Sequence, residues 1–193
     1  NTHCLFLIEG AFIMCCLFIR KGRVIFNSLP IGFPFGQQSS AVKAFETAEA
    51  VRLGATVLDN CMNVGDLKDK KYDKILAEFK EYVDAAQGVM TKMIIETCFL
   101  TKEEIVTATK LVCEAGIDWV KQSSGWGVGG CPATAEDVKI LKENITLPCR
   151  VKVSGKVNTL EKMKTMFEAG AELVGTSSGP AIVDGLVGDI NAY

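Results

Sequence analysis

Two lysines occupy equivalent places in two short apolar runs: Lys121 ends IDWVK, just before Gln-Ser-Ser-Gly, and Lys152 lies in CRVKVSG, just before Ser-Gly. Alternate side chains of a strand share a face, so Ile117, Trp119 and Lys121 point one way, as do Arg150, Lys152 and Ser154. Strands that end at one rim bring the two amines together. Each ammonium then raises the cost of protonating the other in a partly desolvated site. A lysine with an ordinary pKa of ~10.4 must fall to about 7–8 to act as a nucleophile. The neutral amine attacks a carbonyl to give an imine, and the cationic nitrogen accepts the electron pair of a breaking carbon–carbon bond. Two ordinary solvated lysines are the plain alternative.

Further residues extend the candidate site. Asp59 in TVLDNCMN shares a face with Val57 and Cys61, where a carboxylate among lysines would stay ionised and move protons on a substrate hydroxyl through water. Lys92 and Glu96 share a face of the run 90–96 and are expected to pair with each other or with Asp59. The Ser/Gly turn after Lys121 contributes Ser124. Two late turns, Val153-Ser154-Gly155-Lys156 and Gly175-Thr176-Ser177-Ser178-Gly179, are rich in glycine and hydroxyls. In closed barrels the loops after the last two strands cradle phosphate with backbone N–H groups, which makes Gly155, Lys156, Ser177 and Ser178 candidate phosphate contacts.

Composition excludes several other chemistries. The 193 residues are 48% hydrophobic, which suits a soluble globular domain and rules out a disordered chain. Lys+Arg 21 against Asp+Glu 23 leaves a net charge of -2, with no excess positive field for nucleic acid or anionic lipid. The single histidine, His3, leaves no Ser-His-Asp relay and no multi-histidine metal site, so neither metal nor cofactor is expected. The eight cysteines form no CxxC and fall mostly in apolar segments, which fits free thiols in a reducing, cytoplasmic setting. Residues 4–19 are nearly all apolar, yet they lack the length of a membrane span and the basic leader of a signal peptide. Two buried strands broken near Glu9-Gly10 are expected there. The chain begins with Asn1 rather than Met, which allows a fragment or a processed product.

The elements that must position these residues alternate from residue 23 onward. Strands are expected at Val24–Phe33, Thr56–Cys61, Met90–Glu96, Ile117–Lys121, Cys149–Val153 and Leu173–Gly175. Helices are expected at Ser40–Leu53, Lys71–Ala86, Lys102–Ala115, Ala135–Glu143, Thr159–Ala169 and Ala181–Leu186. Thr101 with Glu104 and Thr134 with Asp137 have N-capping spacing, and Gly54, Gly116 and Gly170 stand at helix stops. Such alternation gives an α/β fold, either an open doubly wound sheet or a closed (β/α)8 TIM barrel. GWGVGG (125–130) is misplaced for a dinucleotide fingerprint, which favours the barrel. Only six units are visible, so the first one or two β/α units are missing or replaced. Residues 1–22 then form a divergent apolar segment, and 23–193 form the barrel.

Several stretches also resemble one family. IGFPFG (31–36), VKAFET (42–47), KMIIETCFLTKEEI (92–105), CEAGIDWVKQSSGWG (113–127), VKVSG (151–155) and EAGAELVGTSSG (168–179) are similar to deoxyribose-phosphate aldolase in register. The resemblance implies a (β/α)8 lyase of deoxyribonucleotide and carbohydrate catabolism that reversibly cleaves 2-deoxy-D-ribose 5-phosphate to D-glyceraldehyde 3-phosphate and acetaldehyde without metal. It implies Lys121 as the Schiff-base lysine, Lys152 as the second active-site lysine, Asp59 as the catalytic aspartate, and Lys92, Ser177 and Ser178 as substrate contacts. Gln122 stands where the family has threonine, and Lys156 where it has a second glycine, with an ammonium able to bind the anion. The partner implied is a small sugar phosphate, with a homodimer as the possible assembly and no nucleic acid or membrane. Two rivals remain: a non-catalytic shortened barrel that binds sugar phosphate or a partner subunit, and a phosphate-binding isomerase that needs no lysine pair.

Overall fold

The computed structural model of the chain describes residues 16–20 and 23–185. Seven strands are hydrogen-bonded in chain order into one sheet: β1 (Cys16–Arg20), β2 (Arg23–Ile31), β3 (Val57–Cys61), β4 (Met90–Ile94), β5 (Trp119–Lys121), β6 (Arg150–Ser154) and β7 (Leu173–Gly175). Neighbours from β2 to β7 are parallel, whereas β1 is antiparallel to β2. The crossovers carry α1 (Ser40–Arg52), α2 (Val64–Lys68), α3 (Tyr72–Ala86), α4 (Lys102–Glu114), α5 (Ala135–Asn144) and α6 (Leu160–Glu168), and α7 (Gly179–Val183) follows β7. The expected barrel with an altered front is thus present as an arc of six parallel strands, preceded by an antiparallel hairpin strand. Of the two strands expected in residues 4–19, the stretch 4–15 lies outside the described residues, and 16–19 fall within β1.

Period-two alternation decides which side chains reach the interior of the arc. Leu58, Met93, Val120, Val151 and Val153 belong to one apolar core with Phe79, Ile105, Val112, Val138 and Leu141 of the helices. Their sequence neighbours Asp59, Lys92, Lys121 and Lys152 consequently project to the opposite, inner face. The Tyr82 hydroxyl of α3 donates between the carbonyls of Leu58 (3.0 Å) and Lys92 (3.3 Å), fixing the helix layer against two of these strands.

Local signals in the chain set the helix ends. Thr101 and Glu104 form a reciprocal capping box, and Thr134 accepts from the backbone N–H of Asp137. Gly54, Gly116 and Gly170 all take positive φ at helix stops. Several elements depart from expectation: β2 ends at Ile31, β5 begins at Trp119 and α7 runs Gly179–Val183 rather than Ala181–Leu186. The short α2 has an Asn63 side-chain cap but only five residues, too few for an apolar period to be read. The fourth strand ends at Ile94, because Glu96 enters the left-handed region at φ 56. Among the described residues, no helix is long and apolar enough to cross a membrane, and Cys61, Cys98, Cys113, Cys131 and Cys149 are free.

One buried ion pair clamps this layer. Lys43 of α1, 1% exposed, reaches Glu78 of α3 at 2.7 Å and donates to the Cys61 carbonyl at the end of β3 at 2.8 Å. Burial pushes the Glu78 carboxyl up, and the Lys43 ammonium opposes that. Removing one partner strands the other charge in a dry interior. The variant Glu78→Leu is expected to lose about 3–5 kcal/mol in urea unfolding, and Lys43→Met combined with Glu78→Leu should recover most of it; a loss below about 1 kcal/mol in the single variant would show that Lys43 is rehydrated instead.

Candidate active site

Strand register brings the predicted residues together as two pairs at successive inward levels. Asp59 on β3 is opposite Lys92 on β4, and Lys121 on β5 is opposite Lys152 on β6. Neighbouring strands lie about 4.8 Å apart, so inward side chains at matched levels meet without any loop having to place them. Below Lys121 and Lys152, and level with Lys92, Trp119 pairs with Arg150, whose guanidinium lies 4.7 Å from the indole centroid. Arg150 is exposed and bonds Glu172 at 2.8 Å, so it belongs to the opposite end from the cluster.

Asp59 is the centre of the cluster. Its two carboxylate oxygens lie 3.8 Å from Lys92 Nζ and 3.6 Å from Lys152 Nζ, and Ser28 Oγ donates to it at 2.9 Å. Burial alone would push the Asp59 carboxyl up. The ammonium groups of Lys121, Lys152 and Lys92, with the Ser28 hydrogen bond, overcome that and hold it well below the usual carboxylate range. Lys92 and Lys121 are themselves buried. Three lysines around one carboxylate leave surplus positive charge when all are protonated, which favours an anionic ligand and the neutral form of one amine. Cys61 sits on the same face, but burial pushes its thiol up to about 12, so it offers no thiolate.

Glu96 is placed differently from the sequence reading. It pairs with neither Lys92 nor Asp59, because the backbone turns out of the strand before it. Its carboxylate instead accepts from Ser123 Oγ (3.1 Å) and from the Ser124 backbone N–H (3.1 and 3.2 Å). It therefore clamps the turn that follows Lys121. Ser124 is buried and its Oγ accepts from the Trp126 N–H at 3.0 Å, so this side chain is engaged within its own loop. Gln122 is fully buried and donates to Thr97 Oγ1 and the Cys131 carbonyl, both at 3.2 Å. Ser154 Oγ closes the adjacent turn by donating to the Ser123 carbonyl at 2.8 Å. Ser28 is the site residue that sequence reasoning missed, and Glu96 is one whose partners it misassigned. Ser28 has a signal only in register, since it pairs with Val57 two residues before Asp59.

The two late turns lie at the ends of neighbouring strands β6 and β7. Gly155 has φ +99, and a Cβ there would lie 2.5 Å from the Cys131 carbonyl oxygen. Lys156 also takes a left-handed φ of 58, the conformation a glycine would hold freely. Ser178 is buried and its backbone N–H donates to Thr176 Oγ1 at 3.0 Å, while Ser177 is exposed. A cavity of about 250 Å3 lies instead at the ends of β3 to β5, lined among others by Cys61, Ile94, Glu96, Ser124 and Trp126.

Known proteins are similar to this chain in sequence and in fold. Residues 32–185 match the family model described as DeoC/LacD family aldolase. The chain belongs to that family. It is 47% identical over 184 residues to a deoxyribose-phosphate aldolase of Carboxydothermus hydrogenoformans, covering 93% of this chain and 80% of the relative. It is 45% identical over 174 residues to that of Lysinibacillus sphaericus, covering 90% and 77%. The solved structure of "QR15, an Aldolase" superposes with a TM-score of 0.79 at 38% identity, covering 84% of this chain and 72% of that one. In this DeoC/LacD-family chain the half-barrel arc is therefore an aldolase fold.

The turn after β6 gives a direct check. Gly155→Ala is expected to destabilise the chain more than Gly116→Ala, which has φ +79 but nothing within 4 Å of its Cβ. Each loses about 1 kcal/mol to backbone strain, and only Gly155→Ala must also displace the Cys131 carbonyl; equal losses in denaturant unfolding would show that the turn yields freely.

Proposed function

We propose that the chain is a class I aldolase that reversibly cleaves 2-deoxy-D-ribose 5-phosphate to D-glyceraldehyde 3-phosphate and acetaldehyde. The observation that carries this reading is the cluster in which one ionised carboxylate, Asp59, is shared by the lysines of three adjacent strands. The deoxyribose-phosphate aldolases to which the chain is 45–47% identical supply the substrate.

In the cleavage direction the neutral amine of Lys121 adds to C1 of the open-chain sugar, and loss of water gives a protonated imine. The C3 hydroxyl then gives up its proton as the C2–C3 bond breaks. The electron pair of that bond moves to C2–C1 and onto the imine nitrogen, so C3 becomes the aldehyde of glyceraldehyde 3-phosphate and an enamine stays on Lys121. Protonation at C2 and hydrolysis release acetaldehyde and restore the amine. Lys152 and a water carry the C3 proton. Asp59, held so firmly as the anion, is a weak proton acceptor and acts by orienting that water and balancing the lysines. Its Oδ1 is buried with no hydrogen-bond partner in the protein, an acceptor suited to a substrate hydroxyl or the water.

Lys92 holds Asp59 from the other side, and Ser124 shapes the turn after Lys121. Gly155, Lys156, Ser177 and Ser178 take the phosphate at the rim. Binding this remote dianion orients the reacting carbons, which contributes through positioning rather than through contact with the breaking bond. The reaction needs no metal or organic cofactor, since the imine itself is the electron sink.

Borohydride reduction in the presence of acetaldehyde is expected to leave a stable two-carbon adduct on Lys121, located by peptide mass spectrometry. Lys121→Leu should abolish both adduct and turnover. Lys152→Leu should lower kcat by about 100-fold or more while the protein stays folded. An unmodified Lys121 in folded, active protein contradicts the mechanism, and full activity in Lys152→Leu favours the isomerase-type reading.

A further inference from the structure

Three side chains able to ligate a cation meet at the rim outside the lysine cluster. One ligand atom each from Glu96, Cys98 and Cys131 lies within 4.8 Å of the others. They come from two different loops, one leaving β4 and one leading into α5. Glu96 and Cys131 are buried, and both hold left-handed backbone, at φ 56 and φ 44. Cys98 is exposed, so the group is open to solvent on one side. Gly127 covers it with bare backbone: a Cβ there would stand 2.5 Å from Cys98 Sγ and 3.1 Å from Glu96 Oε1.

The surroundings also suit a charged sulfur. Cys131 Sγ accepts from the Cys98 backbone N–H at 3.2 Å and faces the Gln122 side-chain amide at 3.7 Å. Such outer donors orient a thiolate ligand and spread its charge. The Ser123 and Ser124 donors do the same for the Glu96 carboxylate. The aldol reaction uses neither thiol.

We propose that Glu96, Cys98 and Cys131 form a binding site for a soft divalent cation of the zinc or cadmium class, with two thiolates and one carboxylate filling three of four tetrahedral positions. Binding releases the two thiol protons to solvent, and the dication offsets the thiolates beside the carboxylate. In its absence burial, with Cys98 and Glu96 close by, pushes the Cys131 thiol up, so charge on that sulfur depends on a compensating ion. An occupied site would tie the loop leaving β4 to the loop that follows Lys121.

The test is a titration of the reduced, full chain with cadmium chloride, read by the ultraviolet thiolate-to-cadmium band. The band should saturate at one equivalent per chain, resist excess magnesium and vanish when zinc displaces cadmium. Cys98→Ser, a change at an exposed position, should weaken binding by about 10-fold or more, and Cys131→Ala should do the same in protein that circular dichroism shows to be folded. A band of unchanged affinity in both variants would place cadmium on other thiols, such as Cys113 and Cys149, and overturn the proposal, as would the lack of any saturable band.

Discussion

A single carboxylate inside a cluster of amines is the constraint on which the site rests. Three lysines on neighbouring strands would repel one another and resist burial, and Asp59 between them makes their convergence affordable. The dependence is mutual, since burial on its own would protonate Asp59. The cluster is therefore stable as a set, with a surplus of positive charge that one amine relieves by giving up its proton and that a phosphorylated substrate relieves on binding.

The fold supplies this arrangement through parallel register alone. The register sets Asp59 level with Lys92, and Lys121 level with Lys152 two residues further toward the strand ends, while the alternate positions bury Leu58, Met93, Val120 and Val151 under the helices. Rigidity comes from the outer layer, where the Lys43–Glu78 pair and Tyr82 hold α1 and α3 onto the ends and edges of β3 and β4. Glu96, bent out of its strand, passes that rigidity to the turn after Lys121. The antiparallel β1 stands beside β2 where a barrel of this class would continue in parallel, yet the charged cluster begins only at β3 and is complete without it.

Much of this was legible in the chain because it depends on short-range pattern. Two lysines before Ser/Gly turns, with Asp59 in phase with Val57 and Cys61, follow from period two and from the ending of parallel strands at one rim. The capping residues Thr101 and Thr134 work within four residues and are read directly. Contacts that depend on chain distance were not legible. Lys43 lies on a helix like any surface lysine, and only the packing of α1 on α3 buries it. Glu96 continues a strand-like run, and only the donors of the loop 28 residues later account for its turn away from Lys92. Ser28 needed the register of β2 on β3.

The most direct measurement of the shared counter-ion is a carbon-13 NMR titration of the Asp59 carboxyl in the folded protein. The account predicts an Asp59 that is still ionised at pH 3.8, where an ordinary aspartate is half protonated. Its folded pKa lies below the unfolded one, so its contribution to stability is complete above that pH and fades as pH falls toward the folded value. An Asp59 that takes up its proton at or above 3.8 would mean that the lysines do not converge on it, and the account of the site would be contradicted.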